Sequence, residues 1–362
     1  MSTARDLRPT WAEIDLAAFT RNVEAIAKRL PKGSQLIAVL KANAYGHGAV
    51  ELAKRCRPDR VAMIATALLE ESLELRQSGI ELPLLLLGPL NEKQVPIALD
   101  HRVTIGVVGP EELQSVCRVA RDRDVAIHLK LDSGMGRMGV TESELPRVLE
   151  MIRSTPRLRV EAIYTHFANA SDPNDPFTEK QIAKFRAMSA AISAPRRHLA
   201  NSAATMRGLI EPGDFVRVGV SLFGAEALDA GSTRLEPLLR WRTEIARLKD
   251  LPPGHAIGYG KTFVTKRPSR IATLPVGYAD GYDRRLSNNG DVLVRGHRAP
   301  VVGRVSMDLV TIDVTDIPDA RFGDEVILLG DSITAEELAQ RTGTISYEVF
   351  CRISRRVPRL YR

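Results

Sequence analysis

The chain is poor in cysteine, and its three cysteines are badly placed to pair. Cys56, Cys117 and Cys351 lie far apart in the 362 residues and show no C-x-x-C spacing. This pattern indicates neither a disulfide framework nor a zinc site, so we predict no metal site and expect a reducing compartment.

Long hydrophobic runs are also missing. The longest aliphatic run lies between Leu82 and Leu87, which is far too short to span a bilayer. The first ten residues lack the apolar core of a signal peptide. We therefore expect a soluble cytoplasmic protein that has no membrane partner.

The composition excludes disorder and gives little support to nucleic-acid binding. Hydrophobic residues make up 44% and charged residues 26%, which is typical of a globular chain with a sizeable core. The net charge is +7, but the basic residues are spread along the chain, apart from five arginines between Arg352 and Arg362. We predict no nucleic-acid partner, because a basic surface could equally attract anionic small molecules.

Eight apolar, strand-like runs alternate with stretches of helical periodicity in the first two thirds of the chain. This alternation predicts an α/β fold, a (β/α)8 TIM barrel. A doubly wound open sheet is the alternative, but it usually needs a Gly-rich turn after its first strand, and Lys41-Ala42-Asn43-Ala44 is not one. The eight runs are Gln35 to Leu40, Val61 to Ala65, Leu82 to Leu87, Val103 to Val108, Val125 to Leu131, Leu158 to Thr165, His198 to Ala200 and Phe215 to Val220.

After Leu235 the pattern changes to short β-rich runs separated by Gly and Pro. We therefore predict two domains, a barrel over residues 1–234 and a C-terminal β-rich domain over residues 235–362. Within the second domain a helix is expected from Thr334 to Thr342, with Thr334 as N-cap and Glu337 completing a capping box. No low-complexity linker separates the domains, so they should pack together.

Several polar residues follow predicted strands, where barrels of this kind carry their catalytic groups. Lys41 is the most informative, because burial at the end of an apolar run would disfavour its ammonium form and leave a reactive amine. Each residue alone also has an ordinary explanation, such as a solvated loop lysine or a helix N-cap. The residues at strand ends are Lys41, Lys130, Asp132, His166, Asn201, Ser202, Arg217 and Gly219.

The residues after strands seven and eight suit a phosphate. Ser202 stands near a helix start and Gly219 allows close backbone approach, and barrels often hold phosphate at this position. A phosphate there, with an amine after strand one, describes a pyridoxal phosphate site in which the lysine attaches the cofactor. A lysine-dependent aldolase is an alternative, although it would not need the C-terminal β domain.

The segment Leu40 to Gly48 resembles the cofactor signature of alanine racemases, which are fold-type III pyridoxal phosphate enzymes. The similarity extends over nearly the whole chain, from Trp11 to Arg359. Further motifs resemble that family in the family's own order: Leu131 to Gly139, Thr165 to Ala168, Asn201 to Ala203, Arg217 to Gly219, Gly258 to Thr262, Gly277 to Gly281 and Gly303 to Asp308.

The resemblance implies a racemase that interconverts L-alanine and D-alanine with pyridoxal 5'-phosphate and supplies D-alanine for peptidoglycan. Racemisation needs one base on each face of the substrate, and the resemblance assigns these roles to Lys41 and Tyr259. It places Tyr259 in the active site of the partner subunit, so a homodimer is expected. A phenol is a poor base at neutral pH unless its anion is stabilised, and the resemblance links Tyr259 to His166 and Arg217.

The resemblance also implies residues that bind the cofactor and the substrate. Arg137 and Met307 are expected to contact the substrate, Met307 from across the subunit interface. Lys130 matches a lysine that is often carbamylated, and a carbamate could orient Arg137. An unmodified Lys130 paired with an acid such as Asp132 is the alternative. The expected cofactor contacts are Lys41, Tyr45, Ser202, Arg217, Gly219, Val220 and Tyr347.

Two other functions stay open. A related pyridoxal phosphate decarboxylase would need a catalytic cysteine from the β domain, and Cys351 lacks the surroundings of that family. A non-catalytic cofactor-binding protein would resemble the barrel alone, against which the domain carrying Tyr259 argues. The resemblance places the bulky Tyr278 and Tyr347 at the entrance, where they would favour a methyl-sized side chain, although one methylene changes selectivity by only about 1 to 3 kcal/mol.

Overall fold

The computed structural model describes residues 8–225, 235–330 and 332–362. Eight parallel strands form a sheet in the order β8-β7-β6-β5-β4-β3-β2-β9. The sheet curls almost closed, because the backbone N–H of Arg217 in the last strand donates to the Ala200 carbonyl after β8 at 2.9 Å. The predicted (β/α)8 barrel is confirmed. Its strands are β2 (Gln35–Val39), β3 (Val61–Thr66), β4 (Leu84–Leu86), β5 (Val103–Val107), β6 (Val125–Lys130), β7 (Leu158–Tyr164), β8 (Arg196–His198) and β9 (Phe215–Val218).

The barrel strands are buried on both faces, which explains why they read as continuous apolar runs. Leu36, Ile37 and Ala38 of β2, for example, have no exposed surface. Helices cover the outside of the barrel with their apolar faces turned inward. They are α1 (Leu16–Arg29), α2 (Ala49–Ala53), α3 (Leu69–Gln77), α4 (Gln94–Asp100), α5 (Pro110–Val119), α6 (Leu145–Arg153), α7 (Phe177–Ser189) and α8 (Ser202–Met206).

The C-terminal part of the chain is rich in β-sheet, as predicted. A six-stranded sheet, which includes β1 (Thr10–Ile14), runs in the order β16-β15-β18-β10-β1-β19, beside a three-stranded sheet β11-β14-β17 and a two-stranded pair β12-β13. Two helices follow β18, α9 (Ala335–Thr342) and α10 (Ser346–Arg352). The strands are β10 (Leu239–Glu244), β11 (Arg247–Leu251), β12 (Ala256–Ile257), β13 (Phe263–Val264), β14 (Ser269–Leu274), β15 (Asp291–Val294), β16 (His297–Pro300), β17 (Val310–Asp313), β18 (Glu325–Leu329) and β19 (Arg359–Tyr361).

The strand β1 (Thr10–Ile14) belongs to the C-terminal sheet, although it precedes the barrel in sequence. It pairs antiparallel with β10 and parallel with β19. All five of its residues are buried, so the backbone N–H and C=O groups on both edges of the strand need hydrogen-bond partners. The C-terminal sheet provides them, whereas the nearly closed barrel has no long free edge. The predicted boundary after residue 234 borders residues 226–234, which lie outside the described ranges, and it stays a prediction.

Of the two C-terminal helices, α9 was predicted from its sequence pattern and α10 was not. The Thr334 hydroxyl accepts from the Glu337 N–H at 3.1 Å, as an N-cap should. The Glu337 carboxylate binds Arg298 instead of returning to the cap, so half of the predicted capping box is formed. Helix α10 was not predicted, because its aromatic and β-branched residues favour helix weakly. Packing stabilises it, with the Phe350 ring 4.9 Å from that of His47.

Three arginines near the C-terminus form ion pairs with acidic residues of the same chain. Arg352 pairs with Glu348 at 2.7 Å, Arg356 with Asp308 at 2.7 Å, and Arg362 with Glu13 at 2.7 Å. Their charges are thus partly neutralised within the chain, which weakens any attraction for a polyanion. None of the helices in the described ranges is long and apolar enough to cross a membrane.

Asn22 ties the barrel to the segment that enters the C-terminal sheet, and its loss should be costly. Its amide donates to the carbonyls of Leu222 at 3.1 Å and Glu236 at 2.8 Å, and its oxygen accepts from the Glu236 N–H at 2.8 Å. We predict that Asn22→Leu lowers the free energy of unfolding by about 2 to 4 kcal/mol, because buried backbone groups lose their partners. Urea unfolding measures this. Asn174→Leu at an exposed loop is the control, and equal stability of the two variants would contradict the prediction.

Candidate active site

A cavity of about 590 Å³ opens at the carboxyl ends of the barrel strands. Its lining is strongly cationic, with Lys41, Lys130, Arg137 and Arg217 among its residues. Among the described residues that line it, none is Asp or Glu. A concave site with cations and hydroxyl groups but without carboxylates is suited to an anionic ligand.

Lys41 begins a turn that winds in the left-handed sense. Ala42, Asn43 and Ala44 have φ between 52° and 53° and ψ between 47° and 51°. This conformation costs roughly 1 to 2 kcal/mol per residue with a β-carbon, so the turn persists only because its surroundings hold it. The turn was not predicted, since alanine-rich segments favour the right-handed helix.

Side chains hold both ends of this turn. The Glu71 carboxylate accepts from the Ala42 N–H at 2.6 Å. At the other end, Nδ1 of His47 lies 3.0 Å from the carbonyl oxygens of both Ala44 and Tyr45. Since carbonyls only accept, Nδ1 carries the hydrogen and donates. His47 is fully buried, and burial lowers its pKa to about 4, so the ring stays neutral at pH 7.

The two lysines of the cavity have lowered pKa values, so their charged ammonium forms are disfavoured. Burial is the main cause that lowers the pKa of Lys41, and Arg137 lowers it further. The pKa of Lys130 falls to about 8, again mainly by burial and then through the charge of Arg217. Both amines are therefore easier to deprotonate near neutral pH than an exposed lysine.

Arg217 is held in the barrel interior by neutral acceptors. Its Nη2 donates to the carbonyls of Thr165 at 2.6 Å and Leu199 at 3.2 Å, and its Nη1 donates to Nδ1 of His198 at 2.8 Å and to the His198 carbonyl. Burial lowers the pKa of Arg217 to about 10, so the guanidinium remains charged at neutral pH.

The histidines near Arg217 are neutral, and one of them extends the hydrogen-bond chain. His166 lies with Nδ1 3.4 Å from Arg217, and burial, reinforced by Arg217, lowers its pKa to about 3. Because Nδ1 of His198 accepts from Arg217, its Nε2 carries the hydrogen that faces Nδ1 of His128 at 3.0 Å. The places of His128 and His198 in the hydrogen-bond chain from Arg217 were not predicted, since both residues lie within barrel strands rather than after them.

A small cradle of hydroxyl and amide groups lies after β8 and β9. The Gly219 N–H donates to the Ser202 hydroxyl at 2.9 Å. A β-carbon at Gly219 would come within 2.4 Å of the Tyr45 hydroxyl, so any larger residue there would have to displace the Tyr45 side chain. The ring of Tyr347 is 5.7 Å from that of Tyr45. These groups fit a phosphate, which needs hydrogen-bond donors and close backbone approach.

The structure brings most of the predicted site residues together but leaves two of them outside the cavity. Tyr259 and Met307 belong to the C-terminal domain, and they are 74% and 52% exposed. The predicted roles of all these residues are not tested by their positions and stay predictions. The predicted residues that line the cavity are Lys41, Tyr45, Lys130, Arg137, His166, Ser202, Arg217, Gly219, Val220 and Tyr347.

The potential metal ligands of the described residues are dispersed. Within the described ranges, no three His, Cys, Asp or Glu side chains are grouped closely enough to hold a metal ion. The groups gathered in the cavity are mainly donors, and they favour an anion over a cation.

Comparison with known proteins shows similarity along the whole chain. The family model for the alanine racemase N-terminal domain matches residues 14–227, and the model for the C-terminal domain matches residues 238–361. An alanine racemase of Halothermothrix orenii is 41% identical, covering 99% of this chain and 98% of that protein. One from Symbiobacterium thermophilum is 42% identical, covering 98% of this chain and 97% of the relative.

Solved structures agree with this similarity. The crystal structure of alanine racemase from E. faecalis superposes with a TM-score of 0.92 at 36% identity, covering 98% of this chain and 99% of that one. The alanine racemase of Bartonella henselae, described with covalently bound pyridoxal phosphate, has a TM-score of 0.91 at 27% identity, with coverage of 98% and 99%.

We predict that Gly219→Ala weakens phosphate binding, because its new methyl group would displace the Tyr45 hydroxyl. The expected loss of affinity for inorganic phosphate is at least about tenfold, which corresponds to losing one good hydrogen bond. Isothermal titration calorimetry on the cofactor-free protein measures it. Gly109→Ala is the control, since a β-carbon there would meet only the Glu111 carboxylate, at 3.8 Å. Equal affinities in both variants would contradict the prediction.

Proposed function

This chain belongs to the alanine racemase family and is an isomerase of the racemase class, and we propose that it interconverts L-alanine and D-alanine with pyridoxal 5'-phosphate. The observation that carries the proposal is Lys41, a lysine of lowered pKa in a cationic cavity whose described lining has no carboxylate. When bound, the cofactor withdraws electrons and so acidifies the α-hydrogen of the amino acid. The D-alanine would serve peptidoglycan synthesis.

We assign the cofactor to the cradle beside Lys41. The hydroxyl groups of Tyr45, Ser202 and Tyr347 and the backbone N–H groups of Gly219 and Val220 would bind its phosphate. The hydrogen bond between Gly219 and Ser202, and the lack of room for a β-carbon at Gly219, support this assignment. Lys41 would attach the cofactor covalently.

Arg217 would face the ring nitrogen of the cofactor. With a pKa of about 10 it keeps its protons at neutral pH, so it would donate a hydrogen bond without delivering a proton. His166 would lie between this guanidinium and the second base. Its lowered pKa keeps it neutral, which lets it accept or donate without adding another positive charge.

Two bases would work on opposite faces of the substrate. Lys41 would take or return the α-proton on one face, and the desolvation of its amine supports a share of the neutral form that a base requires. Tyr259 of the partner subunit would act on the other face. Its exposure on the β domain, outside the cavity of its own chain, supports a role across a dimer interface.

The same arrangement would complete the substrate site. Arg137 lines the cavity and would bind the substrate carboxylate, and Met307 of the partner subunit would approach from across the interface. We propose accordingly that the chain is an obligate homodimer in which residues 1–234, together with Tyr347, hold the cofactor. Residues 235–362, joined by β1 as their sheet partner, would contribute to the neighbouring site.

Mixing two inactive variants tests the shared site. Lys41→Ala and Tyr259→Phe should each lose nearly all D-alanine formation from L-alanine. Co-expressed with different affinity tags, they should recover about a quarter of the activity of the unmodified protein. Random pairing makes half of the dimers mixed, and each mixed dimer has one complete site. Chiral chromatography measures D-alanine.

The control for this experiment is each variant alone at the same total concentration. No recovery on mixing would show that Tyr259 does not serve a partner, and full activity of Tyr259→Phe would remove it as a base. Release of carbon dioxide in place of D-alanine by the unmodified protein would favour the decarboxylase alternative.

We also propose that Lys130 is carbamylated. The positive charges of Arg217, Arg137 and Lys41 around it outnumber the one negative charge, that of Asp132, so an anion would be more stable there than another cation. Because the neutral amine reacts with carbon dioxide and the pKa is about 8, carbamate should increase between about pH 6 and pH 8.

Carbon-13 NMR with labelled bicarbonate measures this modification. The unmodified sequence should give a carbamate signal that is absent from Lys130→Arg, which keeps the charge but cannot form the carbamate. The same signal in both proteins, or in neither, would contradict the assignment.

A further inference from the structure

Two acidic residues occupy equivalent places on the barrel rim. Glu71 is the third residue of α3 and Glu112 the third residue of α5. Each carboxylate accepts backbone N–H groups from two successive loops that follow barrel strands. Glu71 joins the loops after β2 and β3, and Glu112 joins the loops after β4 and β5, through Leu90 and Val108, each at 2.7 Å.

The loops joined by Glu71 differ from those joined by Glu112, because one of them contains Lys41 and the left-handed turn. One oxygen of Glu71 accepts from Ala42 at 2.6 Å, and the other accepts from Ala67 at 2.8 Å and Leu68 at 3.1 Å. Ala42 directly follows Lys41 and is the first residue of the left-handed turn. The bond therefore fixes the start of a strained segment at the point where the reactive amine leaves the backbone.

Glu71 is also the carboxylate among the charged groups that act on the Lys41 amine. It raises the pKa of Lys41, against burial and the cations Arg137 and Arg217, which lower it. The Cys351 thiol raises it as well. Lys130 at the end of β6 and His166 just after β7 also interact electrostatically with the amine, since the charge of Lys41 lowers the pKa of both residues.

We propose that Glu71 is a positioning residue for Lys41, which clamps the start of the left-handed turn and places a negative charge near the amine. The inference rests on the proposed function, in which Lys41 attaches the cofactor. Glu112 makes the same kind of bridge without contacting the Lys41 turn, and it is more deeply buried, at 7% exposure. It should therefore matter for stability but not for Lys41.

Glu71→Gln and Glu112→Gln, both loaded with pyridoxal phosphate, provide the test. The visible absorbance of the bound cofactor is titrated with pH, and its release is followed after dilution into buffer without cofactor. In Glu71→Gln the titration should shift to lower pH, because the negative charge that would favour a protonated nitrogen at Lys41 is gone. Release should accelerate by about tenfold or more, because a charged hydrogen bond to the turn is lost. Glu112→Gln should match the unmodified protein in both measurements.

Glu71→Asp separates the effect of the negative charge from the effect of the hydrogen bonds to both loops. It keeps the negative charge but is too short to bridge both loops, so release should be faster while the titration stays near that of the unmodified protein. If Glu71→Gln does not fold, slow release from Glu71→Asp overturns the proposal. Equal behaviour of the Glu71 and Glu112 variants also overturns it. An unmodified protein that takes up no covalently bound cofactor would instead contradict the proposed function.

Discussion

The turn after β2 has the left-handed conformation that L-amino acids disfavour, and hydrogen bonds from two side chains hold it in place. Ala42, Asn43 and Ala44 each carry a conformational cost, and together they project Lys41 and Tyr45 into one cavity. A strained segment is stable only if the structure around it over-determines it. Glu71 at one end and His47 at the other do so through bonds to the turn's own backbone.

A second constraint is charge. The cavity gathers Lys41, Lys130, Arg137 and Arg217, and no carboxylate stands among its described lining residues. Arg217 is stabilised by carbonyl oxygens and by the neutral His198 instead of an ion pair. The site therefore keeps its positive potential for a ligand, and this potential would favour an anionic cofactor and the carboxylate of a substrate.

The two domains have different parts in this arrangement. The barrel brings nine of the predicted site residues to one rim, since the carboxyl ends of all its strands lie together, and Tyr347 of α10 joins them there. The C-terminal domain holds Tyr259 and Met307 on its surface, outside that cavity. In the proposed homodimer, these two exposed residues of one chain would complete the active site of the other. Strand β1 anchors the start of the chain in the C-terminal sheet and so ties the domains of one subunit together.

The sequence determined the barrel, the β-rich second domain and the set of residues at the strand ends. Hydrophobic periodicity and position after a strand are local signals, and Lys41, His166 and Arg217 could be found from them. The left-handed turn, the half-formed capping box at Thr334 and the chain from Arg217 through His198 to His128 were decided by tertiary structure. Each depends on a contact between residues distant in sequence, such as Glu71 with Ala42, whose energy outweighs the local preference of the backbone.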